Sequence, residues 1–440
     1  MTAEVGDRLA ALVRDRWSAA PVVLAVNRFD GAMRALAAEL AAVGADVRGI
    51  VSAEPIPVDV HPAAPRWAAS GHGHRLTRTG FDRWLRTAPD DVATFLDVVD
   101  PHRQARVLAS TYTAVPELFG RPVHGWWRAD SARWEDKTAV DTLWAAAGMP
   151  APAHRIVDLS DPPDAAGILA GLDRGRGVMI AADASQVVLG SSKGLRWVHS
   201  PDETRAALAD LARFSATARA ATFVDGVPFS ILGMVRPDGV AVFEPFEILT
   251  LLGPEPAPLV YCGTSTHWHA PAPVRDGIRR ATRRVGTLLA EQDGYRGVFS
   301  VDGVAGRDFV ATELNPRHVS GLTLWAGRPD VPFRLFARDT QEGTDAPYAS
   351  IGTSELEEFV ASTLRDSPGT VAWIPDPDHG APDRPSRGEL VCDGVTVQWR
   401  RERDGIRIVR IAGAPRGAAV APYVAAAATD AGVTGLRAAE

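Results

Sequence analysis

Lysine is nearly missing from this chain of 440 residues. Among its 47 basic residues only Lys137 and Lys193 are lysines, and all the others are arginines. Arginine has therefore replaced lysine almost everywhere, although the two side chains are not equivalent. We treat the two remaining lysines as candidates for positions where a compact ammonium group matters, with chance survival as the alternative.

The chain also has only two cysteines, a negative net charge and no long apolar segment. Cys262 and Cys392 lie far apart, which argues against a disulfide framework or a cysteine metal site and favours a reduced, cytoplasmic setting. The formal net charge is −7, so the composition lacks the excess of positive charge that is typical of nucleic-acid-binding proteins. No apolar run reaches about 18 residues, and the charged N-terminal segment lacks a signal core, so we expect neither a membrane span nor a signal peptide.

A G-x-G-x-x-G motif is also missing after the first predicted strand, which argues against a nicotinamide enzyme. The N-terminal pattern is nevertheless β-α-β. An apolar strand is predicted at 21–27, an Ala/Leu-rich helix at 33–43 ending at Gly44, and a second strand at 46–52. This alternation predicts an open α/β sheet in the N-terminal part of the chain.

Further along, two strands joined by a tight turn carry an unusual set of polar residues. The sequence predicts strands at 297–303 and 308–314, both rich in β-branched or aromatic residues. Gly306 suits the first central position of a type II′ turn, in which Ala305 pairs with Asp308. The register of this hairpin then determines which side chains share a face.

In that register Asp302 lies opposite Ala311, and Glu313 is its diagonal neighbour, roughly 7–8 Å away. Asn315 follows two residues later and keeps the same face. Two carboxylates and an amide suit Mg²⁺, which completes its shell with water and phosphate. The adjacent Arg317 could stabilise a phosphoryl group or an acyl-phosphate, and would then be catalytic. A solvated hairpin with a few surface acids is the alternative.

The run Glu313-x-Asn315-Pro316-Arg317, preceded by Asp302 on the first strand, resembles the ATP-grasp superfamily. The resemblance implies an enzyme that joins a carboxylic acid to an amine through an acyl-phosphate, using ATP and Mg²⁺. It also implies that Asp302, Glu313 and Asn315 hold the metal. The layout after residue 223 is most similar to the peptide-forming ligases of natural-product pathways, such as the pheganomycin ligase.

Lys137 stands where this family has a lysine that contacts the ATP phosphates. It follows Glu135 and Asp136, and we predict a helix at 138–147 that Gly148 stops. A lysine near a helix N-terminus is unfavourable to the helix dipole, which favours a functional reason for it. A solvated lysine beside a capping aspartate is the alternative.

A short Gly/Ser segment between two predicted strands is the second candidate for phosphate contact. Backbone N–H groups, two hydroxyls and an ammonium could together surround phosphate oxygens. Its residues are Gly190, Ser191, Ser192, Lys193 and Gly194.

This chain departs from the family pattern at two places. A lysine is usual on the strand at about Ala181, and acidic residues are usual near Ala221 and Thr222, but none is present here. Whether Lys193 replaces the missing lysine, and which residues hold adenine, stays open. The Ala-rich segment 203–220 predicts a helix.

The resemblance, together with these patterns, implies an ATP-grasp fold of mixed α/β and α+β class. We expect a Rossmann-like domain at 1–125, a nucleotide-binding and catalytic domain at 126–330, and a small α+β domain at 331–440. The predicted function is an ATP-dependent carboxylate–amine ligase of natural-product biosynthesis that releases ADP and phosphate. A kinase and a nucleotide-binding protein without catalysis are the alternatives, and the departures favour the latter.

The predicted partners are small-molecule acids and amines, such as amino acids or peptides. Neither nucleic acid nor membrane is expected, and a homodimer is compatible with the sequence.

Overall fold

The structure is a computed structural model, and its described residues form three main sheets and a short two-stranded ribbon. It describes residues 2–27, 31–56, 64–68, 78–87, 89–109, 113, 115–125, 129–160, 164–183, 194–253, 259–319, 330–366, 369–376, 384–402 and 405–438. None of the helices in these ranges combines the length and the apolar character needed to cross a bilayer.

Helices cover the faces of these sheets, and short 3₁₀ turns lie at Ala129–Glu135 and Ala346–Tyr348. The helices of the described ranges are α1 Thr2–Trp17, α2 Gly31–Val43, α3 Arg78–Arg86, α4 Asp90–Val99, α5 Asp141–Ala147, α6 Ala165–Leu172, α7 Pro201–Leu211, α8 Ala272–Asp293, α9 Phe333–Glu342, α10 Thr353–Asp366 and α11 Ala421–Asp430.

The first sheet is parallel and has the strand order β3-β2-β1-β4, which confirms the predicted β-α-β start. Its strands are β1 Pro21–Val26, β2 Asp46–Ser52, β3 Arg66–Ala68 and β4 Arg106–Ala109. On β1, Val22 and Leu24 join one apolar core while Val23 and Ala25 join another. Burial on both faces explains why this strand is a continuous apolar run. The ribbon is β5 Glu117–Leu118 with β6 Arg121–Pro122.

The second sheet is antiparallel, with the order β7-β10-β8-β9. Its strands are β7 His154–Asp158, β8 Val178–Ala182, β9 Leu195–Val198 and β10 Thr217–Thr222. Helices α6 and α7 pack on one face through an apolar core that includes Ile180, Ala218 and Ala220. The residues between them in sequence therefore point to the opposite face.

The predicted helix at 203–220 is wrong at its C-terminal end, because α7 stops at Leu211 and β10 begins at Thr217. The Asp183 carboxylate accepts hydrogen bonds from the backbone N–H groups of Ala216 and Thr217, which fixes the chain where the strand starts. Pairing on both edges of β10 then outweighs the helix preference of its alanines.

The third sheet is large and antiparallel, and β17–β21 of the C-terminal segment extend the same sheet as β11–β16. The main order is β16-β15-β11-β13-β14-β17-β20-β19-β18, with β12 paired to β11 and β21 paired to β13. Its strands are β11 Val227–Arg236, β12 Gly239–Val242, β13 Phe246–Leu252, β14 Leu259–Ser265, β15 Gly297–Ala305, β16 Phe309–Asn315, β17 Thr370–Pro375, β18 Arg387–Cys392, β19 Val395–Glu402, β20 Gly405–Ala412 and β21 Arg437–Ala438.

Several helices pack on this large sheet, and α8 and α11 do so at different places. Helix α8 packs on β11, β12 and β15, and α11 packs on β13, β18 and β19. Glu247 on β13 is fully buried and accepts hydrogen bonds from the backbone N–H groups of Val420 and Ala421, at the start of α11. The division of the chain into three domains near residues 125 and 330 stays a prediction.

A buried carboxylate on α9 ties distant parts of the chain together. Asp339 is completely inaccessible and accepts hydrogen bonds from Trp17 Nε1 at 2.9 Å and the Tyr348 hydroxyl at 2.5 Å. It also lies 2.8 Å from His124 Nε2 and 2.8 Å from Arg16 Nε. Helix α1, the segment after β6 and α9 are thereby joined at one point.

Candidate active site

A cavity of about 370 Å³ lies between the second sheet and the large sheet, and this volume is in the range of small-molecule sites. Its walls combine carboxylates and cations with apolar side chains. Lining residues from the second sheet are Met179, Ala181, Leu195, Arg219, Ala221 and Thr222. Those from β15, β16 and the segment after β16 include Asp302, Thr312, Glu313, Asn315 and Arg317.

The turn of the β15–β16 hairpin is longer than the sequence predicted. Ala305 pairs with Phe309 rather than with Asp308, so three residues connect the strands. The Gly306 N–H donates to the Asp308 carbonyl at 2.8 Å within this loop. The predicted two-residue type II′ turn is therefore wrong.

A β-bulge then shifts the register by one more residue. Gly303 pairs with Ala311 and Asp302 pairs with Glu313, which leaves Thr312 as the extra residue on β16. The prediction that Asp302 lies opposite Ala311 is wrong, and the two carboxylates are direct rather than diagonal neighbours. Their convergence on one face nevertheless holds, because directly paired residues point to the same side of a sheet.

Three polar residues and one phenylalanine form a row across four strands at this level. Ser230 on β11 pairs with Asp302 on one side and with Phe246 on the other. The row therefore runs Glu313, Asp302, Ser230, Phe246, with neighbouring strands about 4.8 Å apart. All four residues line the cavity.

Asp302 is surrounded by donors and by one like charge. Asn315 Nδ2 donates to its Oδ2 at 3.2 Å, and the Ser300 hydroxyl donates to its Oδ1 at 3.4 Å. Burial and the neighbouring Glu313 carboxylate raise the pKa of Asp302 above its ordinary value, against the hydrogen bond from Ser230. An aspartate in these surroundings favours either a proton or a nearby cation.

Lys137 is a cation close to both carboxylates. Its Nζ lies 2.8 Å from Glu313 Oε2, and its charge also acts to lower the pKa of Asp302. Burial acts to raise the pKa of Glu313, but the ammonium of Lys137, helped by Arg317, outweighs it, so the pKa is lowered. The predicted helix start at 138 is wrong, since Lys137 lies in a turn and α5 begins at Asp141. Asp136 Oδ1 accepts from the N–H of Thr138 at 2.8 Å, and this Asx turn precedes the helix.

Arg317 touches the same group from the other side. Its Nε donates to both oxygens of Glu135 at 3.0 Å, and its Nη2 donates to Asn315 Oδ1 at 2.6 Å. Burial raises the pKa of Glu135, and Arg317 opposes that shift. Glu135 was not predicted as a site residue. Its position two residues before Lys137 was the one feature of the sequence that could have indicated a role in the site.

The donor set of Asp302, Glu313 and Asn315 fits a magnesium ion. Mg²⁺ binds through one or two carboxylates and keeps positions for water and substrate phosphates. The mutual repulsion of the two carboxylates, seen in the raised pKa of Asp302, is what a divalent cation would relieve. Within the described ranges no cluster of three or more His, Cys, Asp or Glu side chains is arranged to hold a metal, and the set proposed here has two carboxylates and an amide.

Most of the predicted phosphate-contacting segment falls outside the described residues. Gly194 is described, and its carbonyl accepts a hydrogen bond from the Ala182 N–H at 2.9 Å just before β9. The predictions for Gly190, Ser191, Ser192 and Lys193 therefore stay predictions.

Arg219 is a cavity residue that the sequence reasoning missed. It pairs directly with Ala181 across β10 and β8, so both point into the cavity. Asp141 accepts hydrogen bonds from Arg219 Nε and Nη2, each at 2.8 Å, and also lies 3.1 Å from His154 Nε2. A correct strand assignment for 217–222 would have placed this cation beside the alanine that lacks the expected lysine.

The fold defined by these sheets is the ATP-grasp fold, as predicted. No protein-family model and no curated protein sequence matches the chain. Similar solved structures include an N5-carboxyaminoimidazole synthase from Aspergillus clavatus in complex with ADP and 5-aminoimidazole ribonucleotide. Its TM-score is 0.51 at 13% identity, over 88% of this chain and 94% of that one.

An L-amino acid ligase from Bacillus licheniformis has a TM-score of 0.51 at 14% identity, covering 88% of this chain and 92% of that one. A phosphoribosylamine–glycine ligase from Thermotoga maritima has a TM-score of 0.50 at 13% identity, covering 89% and 90%. At these identities the likeness establishes the fold, and it does not single out the natural-product ligases.

Proposed function

We propose that this chain is an ATP-dependent carboxylate–amine ligase that forms an amide or peptide bond in natural-product biosynthesis. The observation that carries the proposal is the direct pairing of Asp302 with Glu313 at the wall of the cavity, beside Lys137 and Arg317. Similar folds belong to carbon–nitrogen ligases, and the Aspergillus clavatus enzyme is described with ADP.

The nucleotide base would lie against the second sheet. Met179, Ala181, Leu195 and Ala221 give that wall an apolar surface suited to a flat aromatic ring. Arg219 is the one cation among the described residues of this wall, and its Nε and Nη2 donate hydrogen bonds to Asp141. In this proposal Arg219 supplies the charge that family members place at the position of Ala181.

The phosphates would then extend toward the carboxylate pair. Asp302, Glu313 and Asn315 would hold Mg²⁺, which when bound neutralises phosphate charge. Lys137 would turn its ammonium from Glu313 to a phosphate oxygen, and the segment from Gly190 to Gly194 would cover the phosphates. These residues contribute position and electrostatics, which dominate catalysis of phosphoryl transfer.

The proposed reaction has two steps. A substrate carboxylate oxygen attacks the γ-phosphorus of ATP and ADP leaves, giving an acyl-phosphate. An amine nitrogen then bonds to the acyl carbon and loses a proton, while phosphate departs with one oxygen of the original carboxylate. Arg317, held in a fixed orientation by Glu135 and Asn315, would stabilise the charge on the transferring phosphoryl group.

The experiment is to measure ADP, phosphate and product with panels of acids and amines, using an acid labelled with ¹⁸O in its carboxylate. A ligase releases ADP and phosphate together only when both substrates are present, and one label passes into the phosphate. AMP with pyrophosphate, or unlabelled phosphate during product formation, would reject the mechanism. A stable phosphorylated product without amine indicates a kinase, and ATP binding without turnover indicates lost catalysis.

A further inference from the structure

The cavity continues past the carboxylates along β13 and β14, and this part has a different chemistry. We propose that it binds the non-reacting portion of a substrate that is apolar and unphosphorylated, such as an apolar amino acid or the apolar end of a short peptide. The inference rests on the proposed ligase function and names the substrate class for it.

The position of this part follows from the sheet register. Phe246 on β13 ends the row that begins at Glu313 and Asp302, so it lies two strands, or about 10 Å, from Asp302. Ile248 and Thr250 follow at alternate positions on β13 and share its face. They span about 13 Å from Phe246 to Thr250, which is long enough for one or two amino-acid side chains.

Strand β14 supplies the other half of the surface. Ile248 pairs with Thr264 and Thr250 pairs with Tyr261, so these residues point to the same side. The lining residues of this part, called the strip below, are Phe246, Ile248, Thr250, Leu259, Tyr261 and Thr264. On the reverse face, Leu249 and Leu251 pack into the core beneath α11, which fixes the orientation of β13.

None of these six side chains carries a charge. The cations that line the described walls of the cavity are Lys137, Arg219 and Arg317, and each already contacts a carboxylate. A phosphate placed over β13 and β14 would lose its hydration without gaining a cation from the described walls of the cavity. An apolar side chain would gain from burial there, at about 25 cal/mol per Å² of apolar surface.

The hydroxyl groups among these lining residues favour a substrate with peptide-like polar atoms beside its apolar part. Thr250, Tyr261 and Thr264 can donate to a carbonyl or accept from an N–H group. Such a mixture of apolar lining and a few hydroxyls is typical of sites for small apolar ligands with one polar end.

The test compares amino acids that each carry both a carboxylate and an amine, so that any one can fill either role. The probes are L-leucine, L-phenylalanine, L-aspartate, L-arginine and O-phospho-L-serine. We expect ADP release with leucine or phenylalanine to exceed that with each charged probe at least tenfold. Equal or greater release with O-phospho-L-serine, L-aspartate or L-arginine would overturn the inference and leave the ligase proposal standing.

The variant Ile248→Asp places a charge in the middle of the strip. We expect it to reduce ADP release with the apolar probes at least tenfold while ATP affinity, measured by calorimetry, stays within twofold. Val391→Asp introduces the same charge at a residue on β18 that is 65% exposed, and it serves as the matched control. An unchanged ranking of the probes in Ile248→Asp would also overturn the inference.

A binding measurement separates this inference from the proposed function. If no probe stimulates ADP release although ATP binds, the ligase proposal fails for amino-acid substrates. A rise in melting temperature with phenylalanine but not with O-phospho-L-serine, lost in Ile248→Asp and kept in Val391→Asp, would then still support an apolar site. No such difference would overturn the inference as well.

Discussion

At the scale of single residues, Glu313 stands between a like charge and an opposite one. Asp302 is its direct partner across the strands, and the ammonium of Lys137 lies 2.8 Å from its Oε2. The sum of these interactions lowers the pKa of Glu313 and raises that of Asp302. One carboxylate of the pair is thus kept charged by a cation that belongs to the protein.

Neutralising that carboxylate should remove most of the activity. Glu313→Gln keeps the size of the side chain but removes one metal-binding charge, and we expect turnover to fall by at least roughly 10², since preorganised charges contribute several kcal/mol to catalysis. Steady-state kinetics with a melting curve measure this. Glu389→Gln, on the exposed side of β18, is the matched control. Turnover near that of the wild type in a folded Glu313→Gln protein would reject the metal assignment.

At the scale of strands, Ala181 and Arg219 are paired positions that face the same cavity. The chain has no lysine at Ala181, yet Arg219 directly opposite on β10 points into the same cavity. A cation on either of two paired positions reaches nearly the same space, because their Cβ atoms are only about 5 Å apart.

If these paired positions are equivalent, a cation at residue 181 should restore the ATP affinity lost when Arg219 is replaced. Arg219→Met should raise the KM for ATP about tenfold or more, as expected for loss of a charged hydrogen bond. Adding Ala181→Lys to that variant should recover much of the loss, because it returns an ammonium to the adjacent strand. The KM for ATP and kcat of both proteins decide the matter, together with Asp141→Asn as a control for the ion pair alone. An unchanged KM in Arg219→Met would show a purely structural arginine.

The strands and helices differ in how far their positions could be predicted from the sequence. Strong apolar runs and caps, such as β1 and the start of α7, were predictable because local chemistry determines them. The bulge at Thr312 was not, because no local signal distinguishes an extra residue from a longer turn. Strand β10 was missed because alanine fits either structure, and only its two neighbours in the sheet select the strand.

The attachment of α11 should depend on pH through Glu247. Burial raises the pKa of Glu247 from 4.5 to about 7, although two backbone N–H groups oppose the shift. The stability from this group is therefore present below pH 4.5 and is lost as the pH rises through about 7. The free energy of unfolding should fall by about 3 kcal/mol over that interval from this group alone.

Glu247→Gln should remove this part of the pH dependence, because the amide does not titrate. Its absolute stability should be lower at acidic pH, since one oxygen cannot accept both N–H groups of the α11 start. Denaturant titrations of both proteins between pH 4 and 8 measure the difference. Parallel pH profiles for the two proteins would show that folding does not raise the pKa of Glu247.

At the scale of the whole molecule, Asp339 connects segments that lie more than 300 positions apart in the chain, as in its contact with Trp17. Asp339→Ala should destabilise the protein by about 3–5 kcal/mol, because removal of a buried charge leaves its partners unpaired. The melting temperature measures this. Asp276→Ala, which removes an exposed ion pair with Arg275, should change it little and serves as the control. Equal stability of both variants would contradict the assigned role.

The contact of Lys137 with Glu313 also bears on how this protein can be labelled. Because only two side chains in the sequence carry a primary amine, reagents that acylate amines have few targets, and Lys137 faces the cavity with 17% of its side chain exposed. Coupling to an amine-reactive surface or dye should therefore inactivate the protein in proportion to modification at Lys137. ATP should slow that modification, as peptide mapping by mass spectrometry would show, whereas equal labelling with and without ATP would place the nucleotide elsewhere.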